Sequence, residues 1–119
     1  MCTKGYKLKV LFVSGGNYER LVKEAFRDPD TTITIAENCN DCISLLQSFK
    51  PDLVIINDQL LDADAEDIAK VIRDLNKEIK ILLIDSGHFK KNSKITVFSK
   101  VVRLPIEPTV LKIAVFSLF

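Results

Sequence analysis

Apolar residues recur along this chain with two alternating periods. Lys7 to Val13, KLKVLFV, turns wholly apolar as it proceeds and reads as a strand entering a sheet. Tyr18, Leu21, Val22, Ala25 and Phe26 then recur at helical spacing until Asp28-Pro29-Asp30 breaks the pattern. Thr32 to Ile35 alternates polar with apolar, as a half-buried or edge strand does. Asn38 or Asn40 is placed to cap a helix whose inner face is Cys42, Ile43, Leu46 and Phe49. Pro51-Asp52 closes it. Leu53-Val54-Ile55-Ile56 is an unbroken, β-branched-rich run, expected of a strand buried on both faces. Asp64 is placed to cap the next helix, with Glu66 and Asp67 at the positive end of its dipole. Ile68, Val71, Ile72 and Leu75 form that helix's apolar stripe, and Ile81 to Ile84 is a second fully buried strand.

From His88 to Lys100 the pattern weakens. Asn92, Ser93, Ile95, Thr96 and Val97 are mediocre helix formers, each up to ~0.7 kcal/mol worse than Ala, so a fourth helix here should be short or irregular. Val101 to Leu104 reads as a fifth strand. Pro108 suits the first turn of a last helix carrying Val110, Leu111, Ala114, Val115 and Leu118. The order, βα five times over, predicts an α/β fold in one domain over residues 1–119: a doubly wound, five-stranded parallel sheet. In such sheets ligands gather at the carboxyl ends of the strands, which directs attention to Asn57 and its surroundings.

With 119 residues, 47% of them hydrophobic, the chain can bury one proper core. A net charge of +1 offers no basic surplus, so direct contact with nucleic acid is not expected. The apolar runs are too short to span a bilayer and the N-terminus lacks a signal-peptide core, which predicts a soluble, cytoplasmic protein. Three cysteines, an odd number, do not make a disulfide framework.

KPDLVIINDQLLDADAEDIAKVIRD, KVLFV before a helix ending LVKEAFRD, and LPIEP stand in the order and register of the response-regulator receiver (CheY-like) domain. Over essentially its whole length the chain resembles that family, the phospho-acceptor module of two-component signalling. The resemblance implies a flavodoxin-like (βα)5 topology and a cis bond between Leu104 and Pro105. It also maps a phosphorylation site. An acidic pair falls on Ser14 and Gly15, the acceptor aspartate on Asn57, a Thr or Ser on Asp85, and a lysine on Leu104. The aromatic switch residue falls on Val101. None of these residues keeps the required chemistry. An amide is no carboxylate nucleophile, Ser, Gly and Asn supply almost no anionic oxygen for Mg²⁺, and a leucine cannot offset phosphoryl charge. The chain is therefore similar to a degenerate, or pseudo-, receiver that is not an enzyme and has lost Mg²⁺ binding.

Other features have plainer readings. Asp58 adjoins the lost acceptor, but without an acidic pair or lysine it reads as a solvated loop carboxylate rather than a shifted acceptor. Asp85 reads as a partly exposed loop acid; the alternative is a fixed negative charge standing where phosphoryl charge would be. Cys39-Asn40-Asp41-Cys42 is a lone CxxC, with Cys42 better explained as a small core residue. Ser14-Gly15-Gly16-Asn17 reads as a tight turn, the run Asp62, Asp64, Glu66, Asp67 as a capped helix start, and His88 as a solvated loop residue. The expected function is a non-catalytic signalling module acting through phosphorylation-independent protein–protein contact. Alternatives are the N-terminal dimerisation or input domain of a longer transcription regulator, and an atypical phospho-acceptor using Asp58. The last helix is apolar nearly all round, so Ile113, Phe116 or Phe119 is expected at a homodimer or partner interface beside Val101 and Arg103.

Overall fold

A computed structural model describes residues 8–14, 18–58, 64–85 and 98–119. The strands are β1 (Leu8–Val13), β2 (Thr31–Ala36), β3 (Leu53–Asn57), β4 (Lys80–Asp85) and β5 (Lys100–Arg103). The described helices are α1 (Glu19–Ala25), α2 (Cys39–Phe49), α3 (Ala65–Leu75) and α4 (Pro108–Phe116). The segment in which a short or irregular helix is expected after β4 lies mostly outside the described residues. All pairings are parallel, in the order β2-β1-β3-β4-β5. That order is doubly wound, with its switch point between β1 and β3.

Strand alternation divides the core in two. Leu8, Val10 and Phe12 of β1, Leu53 and Ile55 of β3, Leu82 and Ile84 of β4, and Val102 of β5 pack under α1 and α4. Leu11, Val13, Val54, Ile56, Ile81 and Leu83 pack on the other side under α2 and α3. The unbroken apolar run of β3 is thus used on both faces, and all five of its residues are buried. β2, half-buried, takes the edge that its alternating pattern predicts.

Helix ends mostly follow local chemistry. Asn38 caps α2, its Oδ1 accepting from the Asp41 N–H at 2.9 Å, and Pro108 opens α4. Asp64 holds the N-cap position of α3, but its side chain makes no capping hydrogen bond there. The stripe of α3 also differs from expectation. Ala65, Ile68, Ala69 and Ile72 are buried, while Val71 and Leu75 are exposed. The two small alanines face the sheet, which turns the helix so that Val71 and Leu75 roll outward. On α2, Leu45 rather than Ile43 joins Cys42, Leu46 and Phe49 against the core.

Candidate functional site

Four strand ends converge at the carboxyl edge of the sheet. Ser14 follows β1; its N–H donates to the Ala36 carbonyl at 2.9 Å, and its Oγ donates to Glu19 Oε2 at 3.1 Å. Asn57 closes β3, and its Nδ2 donates to the Ser14 carbonyl at 3.0 Å. Both residues are 0% exposed. This bond needs a donor, which an amide has and an ionised carboxylate lacks. It ties the ends of β1 and β3 together just past their last paired residues, Val13 and Ile56. Asp58 is half-buried, and its N–H donates to the Ile84 carbonyl at 3.2 Å.

Asp85 departs from the expected partly exposed loop acid. It is the last residue of β4 and only 6% exposed. Parallel pairing sets Asp85 opposite Arg103, whose Nε lies 3.7 Å from Asp85 Oδ2. The Leu104 N–H also donates to the Asp85 carbonyl at 2.9 Å. The ends of β4 and β5 are thus joined through main chain and through opposite charges. By strand alternation Asn57 lies on the α1/α4 side of the sheet, whereas Asp85 and Arg103 lie on the α2/α3 side. A carboxylate at 85 is tolerable so close to the core because a cation accompanies it.

Leu104 packs against the α1/α4 cluster with Tyr18, Leu21 and Ile106. These residues and Pro105 line an open apolar depression of about 430 Å³, and the Leu104–Pro105 peptide bond is cis. Tyr18, one of the lining residues, precedes α1 with φ 62°, an uncommon conformation for a bulky residue. Val101 is half-buried against the α2/α3 cluster. Gly15, Asp62 and His88 lie outside the described residues, as does most of the turn after β1.

The outer face of α4 is apolar. Leu111, Ala114 and Val115 are buried, whereas Val110, Ile113, Phe116 and the following Phe119 are exposed, Ile113 at 65%. Phe116 is partly engaged: its ring meets Phe26 edge-on at 6.5 Å, and Lys112 Nζ sits 5.9 Å from its centroid. Lys112 also reaches Asp28 Oδ1 at 3.4 Å, which ties α4 to the turn after α1. Burial pushes the Asp28 carboxyl up, but bonds from Thr31 and the Asp28 N–H, with the nearby Lys112, outweigh it and hold it below the usual value. Burial, and then the neighbouring Cys39, push the Cys42 thiol up to about 12.

The edge therefore combines a buried amide, a buried hydroxyl bonded to a carboxylate, an ion-paired carboxylate and a leucine. Among the described residues no group of three or more His, Cys, Asp or Glu comes together as metal ligands would. Of the acidic side chains at this edge, Glu19 is turned to Ser14 and Asp85 to Arg103. Sequence reading missed Glu19 as a partner of Ser14. It had Arg103 as an interface residue and did not foresee its pairing with Asp85, which only the β4–β5 register could have revealed.

No family model and no curated protein matches the sequence. Solved structures do. The chemotaxis response regulator CheY4 of Vibrio cholerae superposes with a TM-score of 0.83 at 18% identity, covering 95% of this chain and 99% of that one. A two-component response regulator from Clostridium difficile gives 0.81 at 20% identity over 94% and 95%. A CheY-like receiver domain protein from Methanospirillum hungatei gives 0.83 at 13% identity over 93% and 92%. The fold is that of the receiver domains.

Proposed function

We propose that this chain is a pseudo-receiver: a non-catalytic signalling module that works through protein–protein contact without phosphorylation. The observation that carries the reading is the Asn57–Ser14 bond. The side chain at the acceptor position is a wholly buried amide spent as a donor to a backbone carbonyl. It offers neither a nucleophilic oxygen nor an anionic ligand. Mg²⁺, which the fold family implies, does not fit this donor set: Ser14 and Asn57 contribute only neutral oxygens, and the Ser14 carbonyl already accepts from Asn57. Leu104 packs in an apolar wall where phosphoryl charge would need a cation. Asp85, held by Arg103, supplies a carboxylate at the position of the family's Thr or Ser and favours one arrangement of the β4 and β5 ends.

The contact surface in this reading is the outer face of α4, with Val110, Ile113, Phe116 and Phe119 as its apolar centre. As the dimerisation domain of a longer regulator, the chain would use the same face with a second copy as occupant.

Incubation with acetyl phosphate and Mg²⁺ tests the reading. The expected result is no added phosphoryl mass and no Mg²⁺-dependent amide shift at Ser14 or Asn57 at millimolar metal. An acid-labile phosphoryl group on Asp58 would overturn it in favour of a shifted acceptor.

A further inference from the structure

The sheet ends on two unlike edges. β5 is four residues long and carries Lys100 and Arg103, the short and charged kind of edge that resists a further strand. β2 has six residues, Thr31–Ala36, with no charge and no proline, and all but Ala36 are β-branched. Two bonds show which of its groups face outward. The Leu8 N–H donates to the Asp30 carbonyl at 3.0 Å, and the Ser14 N–H to the Ala36 carbonyl at 2.9 Å. Successive residues of a strand turn their N–H and C=O to opposite sides in the sheet plane. Thr32, Thr34 and Ala36 therefore face β1, and Thr31, Ile33 and Ile35 face away from it. The Asp28 carbonyl takes the Thr31 N–H at 3.3 Å. Among the described residues no strand lies beyond β2, so the N–H and C=O groups of Ile33 and Ile35 have no ladder partner there.

Side chains on this edge suit an added strand. Ile33 is half-buried against the α1/α4 cluster, and Ile35, also half-buried, shares its face by alternation. Thr32 and Thr34 stand on the opposite face, where threonines make cross-strand hydrogen bonds. Asp30 and Glu37, both exposed, stand at the two ends of the strand. From Asp28 to Glu37 the chain carries three carboxylates and no cation, and Lys112 meets the one at Asp28. A symmetric antiparallel pairing of two copies through β2 would set Asp30 of each against Glu37 of the other, which like charge opposes.

We propose that β2 is a docking edge that takes up an extended basic segment of another protein as a sixth strand. Main-chain bonds to Ile33 and Ile35 hold the segment, and cations at its two ends meet Asp30 and Glu37. Asp30 to Glu37 spans about 23 Å at ~3.3 Å per residue, so the segment is about eight residues long. A carboxylate at each end serves either strand direction. The proposal is independent of the outer face of α4 and of the chemistry at Asn57.

The test titrates the isotope-labelled full chain with a capped peptide, Lys-Val-Thr-Val-Thr-Val-Thr-Lys. The amide signals of Thr31 to Ala36 should shift together, and the Ile33 and Ile35 N–H groups should become protected from hydrogen exchange. The same peptide with glutamate at both ends should bind about tenfold more weakly. N-methylating one alternate set of peptide residues should abolish binding while the other set leaves it intact, because only one set of N–H groups faces β2. Asp30→Lys combined with Glu37→Lys, both at exposed positions, should reverse the preference between the two peptides. No shift in β2 at millimolar peptide, equal affinity for both peptides, or indifference to N-methylation would overturn the proposal. So would a dimer of the chain alone that protects the Ile33 and Ile35 N–H groups, since the occupant would then be a second copy.

Discussion

Replacing Asn57 with aspartate restores the residue that a phospho-acceptor needs, yet it should damage this protein. Asn57 is 0% exposed and its Nδ2 donates to the Ser14 carbonyl at 3.0 Å. An ionised aspartate cannot donate, so the Ser14 carbonyl loses a buried bond, a loss of about 1–3 kcal/mol. The carboxylate also leaves water and faces a carbonyl oxygen, which adds a desolvation penalty of about 1–2 kcal/mol. Together Asn57→Asp should destabilise the fold by about 2–5 kcal/mol at pH 7. The pH dependence separates this cause from a packing defect. The buried carboxyl has a folded pKa above its unfolded value of about 3.9, because its neutral form can donate O–H to Ser14. Its stabilising contribution is therefore present below about pH 4, and it is lost as pH rises from there through the folded pKa. Asn57→Ala should lose about 1–3 kcal/mol with no such pH dependence. Urea unfolding followed by far-UV circular dichroism between pH 4 and 8 measures both variants. An Asn57→Asp protein as stable as the parent at pH 7, or one that takes up phosphoryl from acetyl phosphate, would refute the reasoning.

Ile113→Glu should weaken any self-association seen by sedimentation while leaving the melting temperature unchanged, because Ile113 is largely exposed. Phe116→Glu should do the same but also cost about 1 kcal/mol through loss of the edge contact with Phe26; a monomer before and after both changes would remove α4 from the interface. Asp28, held below its usual pKa, contributes stability above about pH 3.8 that is lost as pH falls through its folded value, so Lys112→Ala should reduce the acid-side slope of a stability–pH curve. An unchanged slope would show that Lys112 has no part in it. Arg103→Ala should cost no more than about 1 kcal/mol, since the arginine is largely exposed, yet shift the amide signals of Asp85 and Leu104; silence at both would dissolve the proposed link between the β4 and β5 ends.

Local periodicity determined much of this protein. The run Leu53–Ile56 is apolar at every position because both sheet faces are covered, and β2 alternates because it stands at an edge. Asn38 caps α2 and Pro108 opens α4 for reasons contained within a few residues. The receiver-like fold was legible for the same reason, since the order of strands and helices follows from where each period begins and stops. Tertiary structure decided what local pattern could not. Val71 and Leu75 share a helical stripe with Ile68, yet they are exposed because Ala65 and Ala69 set how α3 seats. Asp85 resembles a loop acid in sequence, but register against β5 extends its strand and brings Arg103 beside it from eighteen residues away. Asn57 is visible in sequence only as a missing carboxylate. Its role as the donor that closes β1 against β3 arises from a contact forty-three residues apart, which no local period encodes.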